Sequence, residues 1–162
     1  MGIDEDKKNH KISRILVAID GSKESIAAAI HAVTIASIYD AELLTLTVIN
    51  TQPWFYASTP YGWADNETME KVHKKDRDEA QHWLDQIKAN AEGNRIKIST
   101  KILMVPTTSS STSAAIVNYA EQNSIDLIIV GTRGRSGLRK MLLGSTALGV
   151  LTYAHCSVMV VK

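Results

Sequence analysis

The chain is poor in cysteine: Cys156 is its only thiol in 162 residues. An intrachain disulfide is therefore impossible, and a cysteine-built zinc cluster is excluded with it. Long apolar runs are absent too. No stretch approaches the roughly 20 residues of a membrane-spanning helix, and the amino terminus is polar rather than signal-like, so a reducing, cytoplasmic setting is the expectation. Net charge is only +1, too little for the chain as a whole to seek nucleic acid or an anionic membrane. The one strong imbalance is local. From Leu127 to Lys162 there is no Asp or Glu, whereas Arg133, Arg135, Arg139, Lys140 and Lys162 are all basic.

Several motifs of catalysis and ligand binding are missing as well. G-x-x-x-x-G-K-[ST] occurs nowhere, which excludes a Walker-type phosphate loop, and so does G-x-G-x-x-G, the dinucleotide fingerprint. There is no G-x-S-x-G elbow for a serine nucleophile. His10, His31, His73, His82 and His155 lack H-x-x-x-H or H-x-x-E spacing, so a histidine metal site is not expected. Cys156 beside His155 reads as a buried residue at a strand start rather than a nucleophile, since nothing near it in sequence lowers a thiol pKa.

What is present is alternation. An apolar content of 44% and a charged content of 22% suit one well-buried domain at this length. Residues 1–13 are polar and read as a loose tail, leaving 14–162 as the folded domain. Residues 14–19 (R-I-L-V-A-I) make an apolar strand buried on both faces. It empties into Asp20-Gly21-Ser22, where Gly21 permits a sharp turn and Ser22 caps the next helix. That helix, 25–39, is apolar nearly all round and should be covered on more than one side. A second strand follows at 41–49. Residues 51–63 hold Trp54, Phe55, Tyr56, Tyr61 and Trp63 together with Pro53 and Pro60. This stretch is too proline-broken for regular structure, and it either covers a ligand, meets a partner or tucks against its own domain.

A helix over 64–91 carries charge on its outer face. The strand 96–105 alternates at first, as near a sheet edge. A Ser/Thr-rich loop, 106–113, caps a helix at 114–122. Strand 127–130, a glycine turn, a helix to about residue 154 and a last strand at 157–161 complete the chain. Strands and helices alternating in this way imply a single α/β domain. Its expected core is an open five-stranded parallel sheet with helices on both faces, Rossmann-like in layout.

Ligands in such sheets bind beyond the carboxyl ends of the strands, where strand order reverses. Two strand ends carry suitable chemistry: Asp20-Gly21-Ser22 after the first strand, and Gly131-Thr132-Arg133-Gly134-Arg135-Ser136-Gly137 after the fourth. If the first and fourth strands are neighbours, both ends line one crevice. A glycine-rich, cationic turn that leads into a helix start at Gly144-Ser145-Thr146 favours an anion, through free backbone N–H groups and the helix dipole. Arg135, Arg139 and Lys140 either touch phosphate or solubilise the turn.

The spacing Gly131-x-x-Gly134, nine residues, Gly144-Ser145 resembles the ATP-binding branch of the universal stress protein family. The resemblance spans residues 13–162. It includes V-A-I-D-G-S at 17–22, D-L-I-I-V-G-T-R-G at 126–134, L-L-G-S-T-A at 142–147 and the closing C-S-V-M-V-V-K. It implies a dimeric five-stranded domain with ATP across the crevice. By that resemblance Ala18, Ile19 and Asp20 line the nucleotide from the first strand, and Val48 meets the base through its backbone. Val130, Gly131, Arg133 and Gly134 flank ribose and phosphates, while Gly144, Ser145, Thr146 and Ala147 hold the phosphates. Asp20 serves either the nucleoside or a phosphate-bound Mg²⁺. Near Ser110 and Thr112 this chain departs from its relatives, which carry a glycine and then a proline there, and base recognition is the part of the transfer this touches.

Three functions compete at this point. The first is an ATP-binding regulatory module of a stress response. The second is a slow Mg²⁺-dependent ATPase, for which only Asp20 offers a catalytic carboxylate, where serious turnover needs a positioned base. The third is a ligand-free interaction protein, whose mark would be a bulky residue at position 134 or 144, and both are glycine. The first is preferred. Edge strand Ser157–Val161 is short and apolar, and an exposed edge of that kind invites pairing, here as a homodimer.

Overall fold

The computed structural model describes residues 11–51, 66–106, 110–134 and 143–162. Most of the tail, the aromatic stretch Trp54 to Trp63, and Arg135, Arg139 and Lys140 lie outside the described residues. Within them the chain runs β1 (Arg14–Ala18), α1 (Lys23–Tyr39), β2 (Glu42–Thr51), α2 (Asn66–Gly93), β3 (Ile98–Pro106), α3 (Thr112–Gln122), β4 (Leu127–Gly131), α4 (Ser145–Tyr153) and β5 (Ser157–Val161). The strands form one sheet in the order β3-β2-β1-β4-β5, and every pairing is parallel.

Burial explains the order. Ile15, Leu16 and Val17 of β1 and Ile128 and Ile129 of β4 are fully buried, as unbroken apolar runs must be in the middle of a parallel sheet. Each such side chain contributes about 1.5–3 kcal/mol of transfer free energy. β3 alternates in exposure and takes one edge. Helices α1 and α2 cover one face through Ala28, Ala32, Leu84 and Ile87; on the other, α3 and α4 bring Ile116, Ala120 and Val150 against Leu16, Leu46 and Ile128.

Helix α1 departs from the expectation of cover on more than one side. Its stripe of Ala28, Ala29, Ala32, Val33 and Ala36 is buried, while Ile30 and Ile38 are 62% and 73% exposed. Small side chains let the helix lie close on the sheet, and no described element covers its outer side.

Three helices end alike. Asp40, Arg95 and Ser124 take left-handed backbone conformations, with φ of 52°, 59° and 50°. The next residue donates back across the last turn each time: Ala41 N to Ala36 O at 2.9 Å, Ile96 N to Ala91 O at 3.0 Å and Ile125 N to Ala120 O at 3.0 Å. Ala41, Ile96 and Ile125 are then buried, which makes each a Schellman stop that turns the chain toward the following strand. At the amino edge of the sheet Asp126 Oδ2 accepts from the backbone N–H groups of Ser13 and Arg14 at 2.8 and 2.9 Å. This fixes the entry of β1 beside β4.

Candidate functional site

β1 and β4 are neighbours, with Ile15, Leu16 and Val17 level with Leu127, Ile128 and Ile129. Sequence-adjacent β1 and β2 lie to one side and β4 and β5 to the other, so strand order reverses at this pair. Their carboxyl ends open a crevice there.

The β1 end is a rigid turn. Ser22 caps α1, accepting from Ser25 N at 3.2 Å. Asp20 Oδ1 accepts from Ser22 N at 3.0 Å and from Ser22 Oγ at 2.6 Å, and Ser25 Oγ meets Asp20 N at 3.3 Å. Gly21 has φ +78°, and a Cβ there would come within 2.3 Å of the Trp83 ring. Both facts require glycine. The turn also touches its partner strand end, since the Arg133 carbonyl lies 3.3 Å from Ser22 Oγ.

The glycines of the β4 end have different reasons. A Cβ on Gly131 would lie 2.7 Å from the Glu24 carbonyl carbon and 2.9 Å from Ser25 N, so this glycine admits the first turn of α1. A Cβ on Gly134 would lie 2.7 Å from Asp20 Oδ2, so this one brings the two strand ends together. Gly144 N donates to Thr132 O at 2.7 Å, which folds the start of α4 back onto the turn. Gly144 is the N-cap without any side-chain bond, and Leu148 N is the donor that reaches its carbonyl, at 2.9 Å. The first-turn N–H groups of Ser145, Thr146 and Ala147 thus have no partner within the helix, and the positive end of its dipole faces the crevice.

All twelve residues singled out from the sequence line this one crevice, whose volume is about 620 Å³ counted to its open mouth. Ala18, Ile19 and Asp20 come from β1 and its turn, and Val48 from β2. Val130, Gly131, Arg133 and Gly134 come from β4 and its turn, and Gly144 to Ala147 from the start of α4. Thr112 and Thr132, named in the sequence without a contact assigned, line it too, and so do Ser25, Leu46 and Ile116, which were not anticipated. Leu46 was within reach, because it shares the face of β2 with Val48 two residues on. Ile116 likewise shares a face of α3 with Thr112.

Among the described residues Thr132 Oγ1 and Arg133 Nε are buried without a hydrogen-bond partner. An N–H and a hydroxyl left in that state beside a helix amino end fit an anionic group. Asp20 is the only carboxylate among the described lining residues, and so the only anionic side chain there for a magnesium ion riding on phosphates. At the start of α3 Ser111 caps the helix through Ala114 N at 3.2 Å, and Asn50 Nδ2 donates to Thr112 Oγ1 at 2.8 Å. A threonine hydroxyl therefore belongs to a residue of the crevice wall. Cys156 lies away from the crevice, half-buried, and burial together with the charge of Asp126 pushes its thiol pKa up. That is the opposite of an activated nucleophile.

The comparisons with known proteins agree with this fold. A family model described as the universal stress protein family matches residues 11–162. Universal stress protein MJ0531 of Methanocaldococcus jannaschii is 37% identical over 150 residues, which cover 92% of this chain and 81% of that one. Among solved structures, universal stress protein UspA from Lactobacillus plantarum superposes with a TM-score of 0.79 at 25% identity, covering 94% and 99% of the two chains. The universal stress protein from Archaeoglobus fulgidus in complex with dAMP shares the fold, with a TM-score of 0.63 at 18% identity over 94% and 99%. The chain belongs to the universal stress protein family.

Proposed function

We propose that this protein binds ATP, with Mg²⁺ on its phosphates, and acts as a nucleotide-dependent regulatory module of a stress response in the cytoplasm. The observation that carries the reading is the uncapped amino end of α4, with its unshared N–H groups, set across the crevice from Asp20. Phosphates are bound by Gly144, Ser145, Thr146 and Ala147, with Thr132 Oγ1 and Arg133 Nε supplying the donors they otherwise lack. Ala18, Ile19, Val48 and Val130 form the apolar floor for the nucleoside, flanked by Gly131 and Gly134. Asp20 faces the ribose or the magnesium ion. A nucleotide in the Archaeoglobus fulgidus relative of the same fold supports the ligand class.

The nucleotide is sensed rather than consumed. Asp20 Oδ1 is already committed to Ser22, and general-base catalysis needs a carboxylate poised on the attacking water. Calorimetry with Mg-ATP tests the site: the double variant Gly134→Val, Gly144→Val should bind at least about tenfold more weakly, a loss of roughly 1.4 kcal/mol. Unchanged affinity would remove the site assignment. Steady turnover at or above about 1 s⁻¹, the low end for ordinary enzymes, would overturn sensing in favour of catalysis.

A further inference from the structure

A second cavity, of about 480 Å³ counted to its open mouth, lies on the opposite face of the sheet between the carboxyl end of β2 and helix α2. Two positions there break the apolar pattern of their elements. On β2 the alternation that puts Leu43 in the core beneath α1 and α2 continues through Thr45, Thr47 and Ile49. On α2 the core stripe of Ala91, Ile87, Leu84 and Ala80 runs up to Asp76. Thr45 Oγ1 finds the Ser99 carbonyl at 3.3 Å. Thr47 finds nothing: the residue is 3% exposed, and its Oγ1 is buried with no hydrogen-bond partner among the described residues. A valine would fill the same space without stranding a hydroxyl. A stranded core hydroxyl on one element and a half-buried carboxylate on the facing one, both lining this cavity, mark a site rather than a packing choice.

We propose that this cavity binds a partly hydrated divalent cation, with the Asp76 carboxylate and the Thr47 hydroxyl as protein ligands. The chemistry follows from the donors. The cavity has carboxylate and hydroxyl oxygens, and no Lys or Arg among its described lining residues. Hard oxygen donors select Mg²⁺ and its analogue Mn²⁺ over softer metals. No group of three or more His, Cys, Asp or Glu gathers among the described residues, so water completes the shell, as it does where Mg²⁺ is held by one or two carboxylates. Asp20 belongs to the walls of both cavities. A cation on this side offsets its negative charge and eases a phosphate on the other, a consequence that rests on the nucleotide reading; the cation site does not.

The test uses nucleotide-free protein. Mn²⁺ is titrated into wild type, Thr47→Val and Asp76→Asn, with free Mn²⁺ followed by electron paramagnetic resonance and folding checked by thermal melting. One Mn²⁺ per chain should bind to wild type and be displaced by Mg²⁺. Each variant should bind at least tenfold more weakly, with Thr47→Val melting at or above the wild-type temperature. Wild type that takes up no Mn²⁺ without nucleotide overturns the proposal and leaves a water-filled cavity. So does a correctly folded Thr47→Val that binds as wild type does.

Discussion

Gly131 and Gly134 stand three residues apart in one motif and do different work. The backbone of α1 fills the space where a Gly131 side chain would go. Gly131→Ala should therefore cost about 1–3 kcal/mol of stability in a denaturant melt, as overpacking does. At Gly134 the neighbour is the end of a side chain, Asp20 Oδ2, rather than backbone. Gly134→Ala should leave the melt within about 0.5 kcal/mol of wild type and instead weaken Mg-ATP in calorimetry. Equal effects of the two variants on stability would contradict this division. Cys156 offers a pH test at the same scale. Burial, then the charge of Asp126, raises its folded pKa above the unfolded value, so the neutral thiol favours the fold. That contribution is complete below the unfolded thiol value of about 8.5 and is lost as pH rises through the raised folded value. Urea melts of wild type and Cys156→Ala should keep a constant gap up to about pH 8 and move in favour of the variant above pH 9.

At the scale of elements, the helix ends carry a stability reserve. Arg95 follows α2 in a left-handed conformation with φ 59°, and its neighbour Ile96 is buried. Left-handed backbone costs a non-glycine residue about 1–2 kcal/mol, and glycine returns part of that gain through its freer unfolded chain. Arg95→Gly should stabilise by about 0.5–1 kcal/mol in thermal melts, whereas a loss would mean that the Arg95 side chain holds the stop. Elements were also the most legible level in the sequence. The apolar run of β1 and the Ser22 cap are local signals, and each stands where local chemistry places it, whereas α3 starts at Thr112 with Ser111 as its cap, inside the stretch expected to be loop. The outer face of α1 was misread because its composition is apolar all round, while burial is decided by what lies opposite.

For the whole molecule what matters is the outer side of β5, which pairs with no strand among the described residues. β5 closes one end of the sheet order, and Leu148, Leu151 and Tyr153 of the adjacent α4 are exposed. Edge backbone next to apolar side chains suits a two-fold pairing of copies. Light scattering at micromolar concentration should give a dimer mass, and Val158→Pro, which removes a backbone donor from β5, should shift it toward monomer. A monomer mass for wild type would exclude this pairing.

The sequence by itself determined which segments become strands and helices, and where a phosphate-friendly turn sits. Those depend on apolar runs, caps and glycine spacing within a few residues of one another. The twelve residues carried over from the family motif needed no structure to be named. Only the tertiary structure decided that β1 and β4 are neighbours, and that Asp20 meets Gly134. It alone separated the glycine that admits α1 from the glycine that faces the crevice, and it alone buried the Thr47 hydroxyl in the wall of a cavity that Asp76 also lines. Each of these is a contact between residues far apart in the chain, set by how the helices stack on the sheet, and no local pattern encodes which distant atoms will meet.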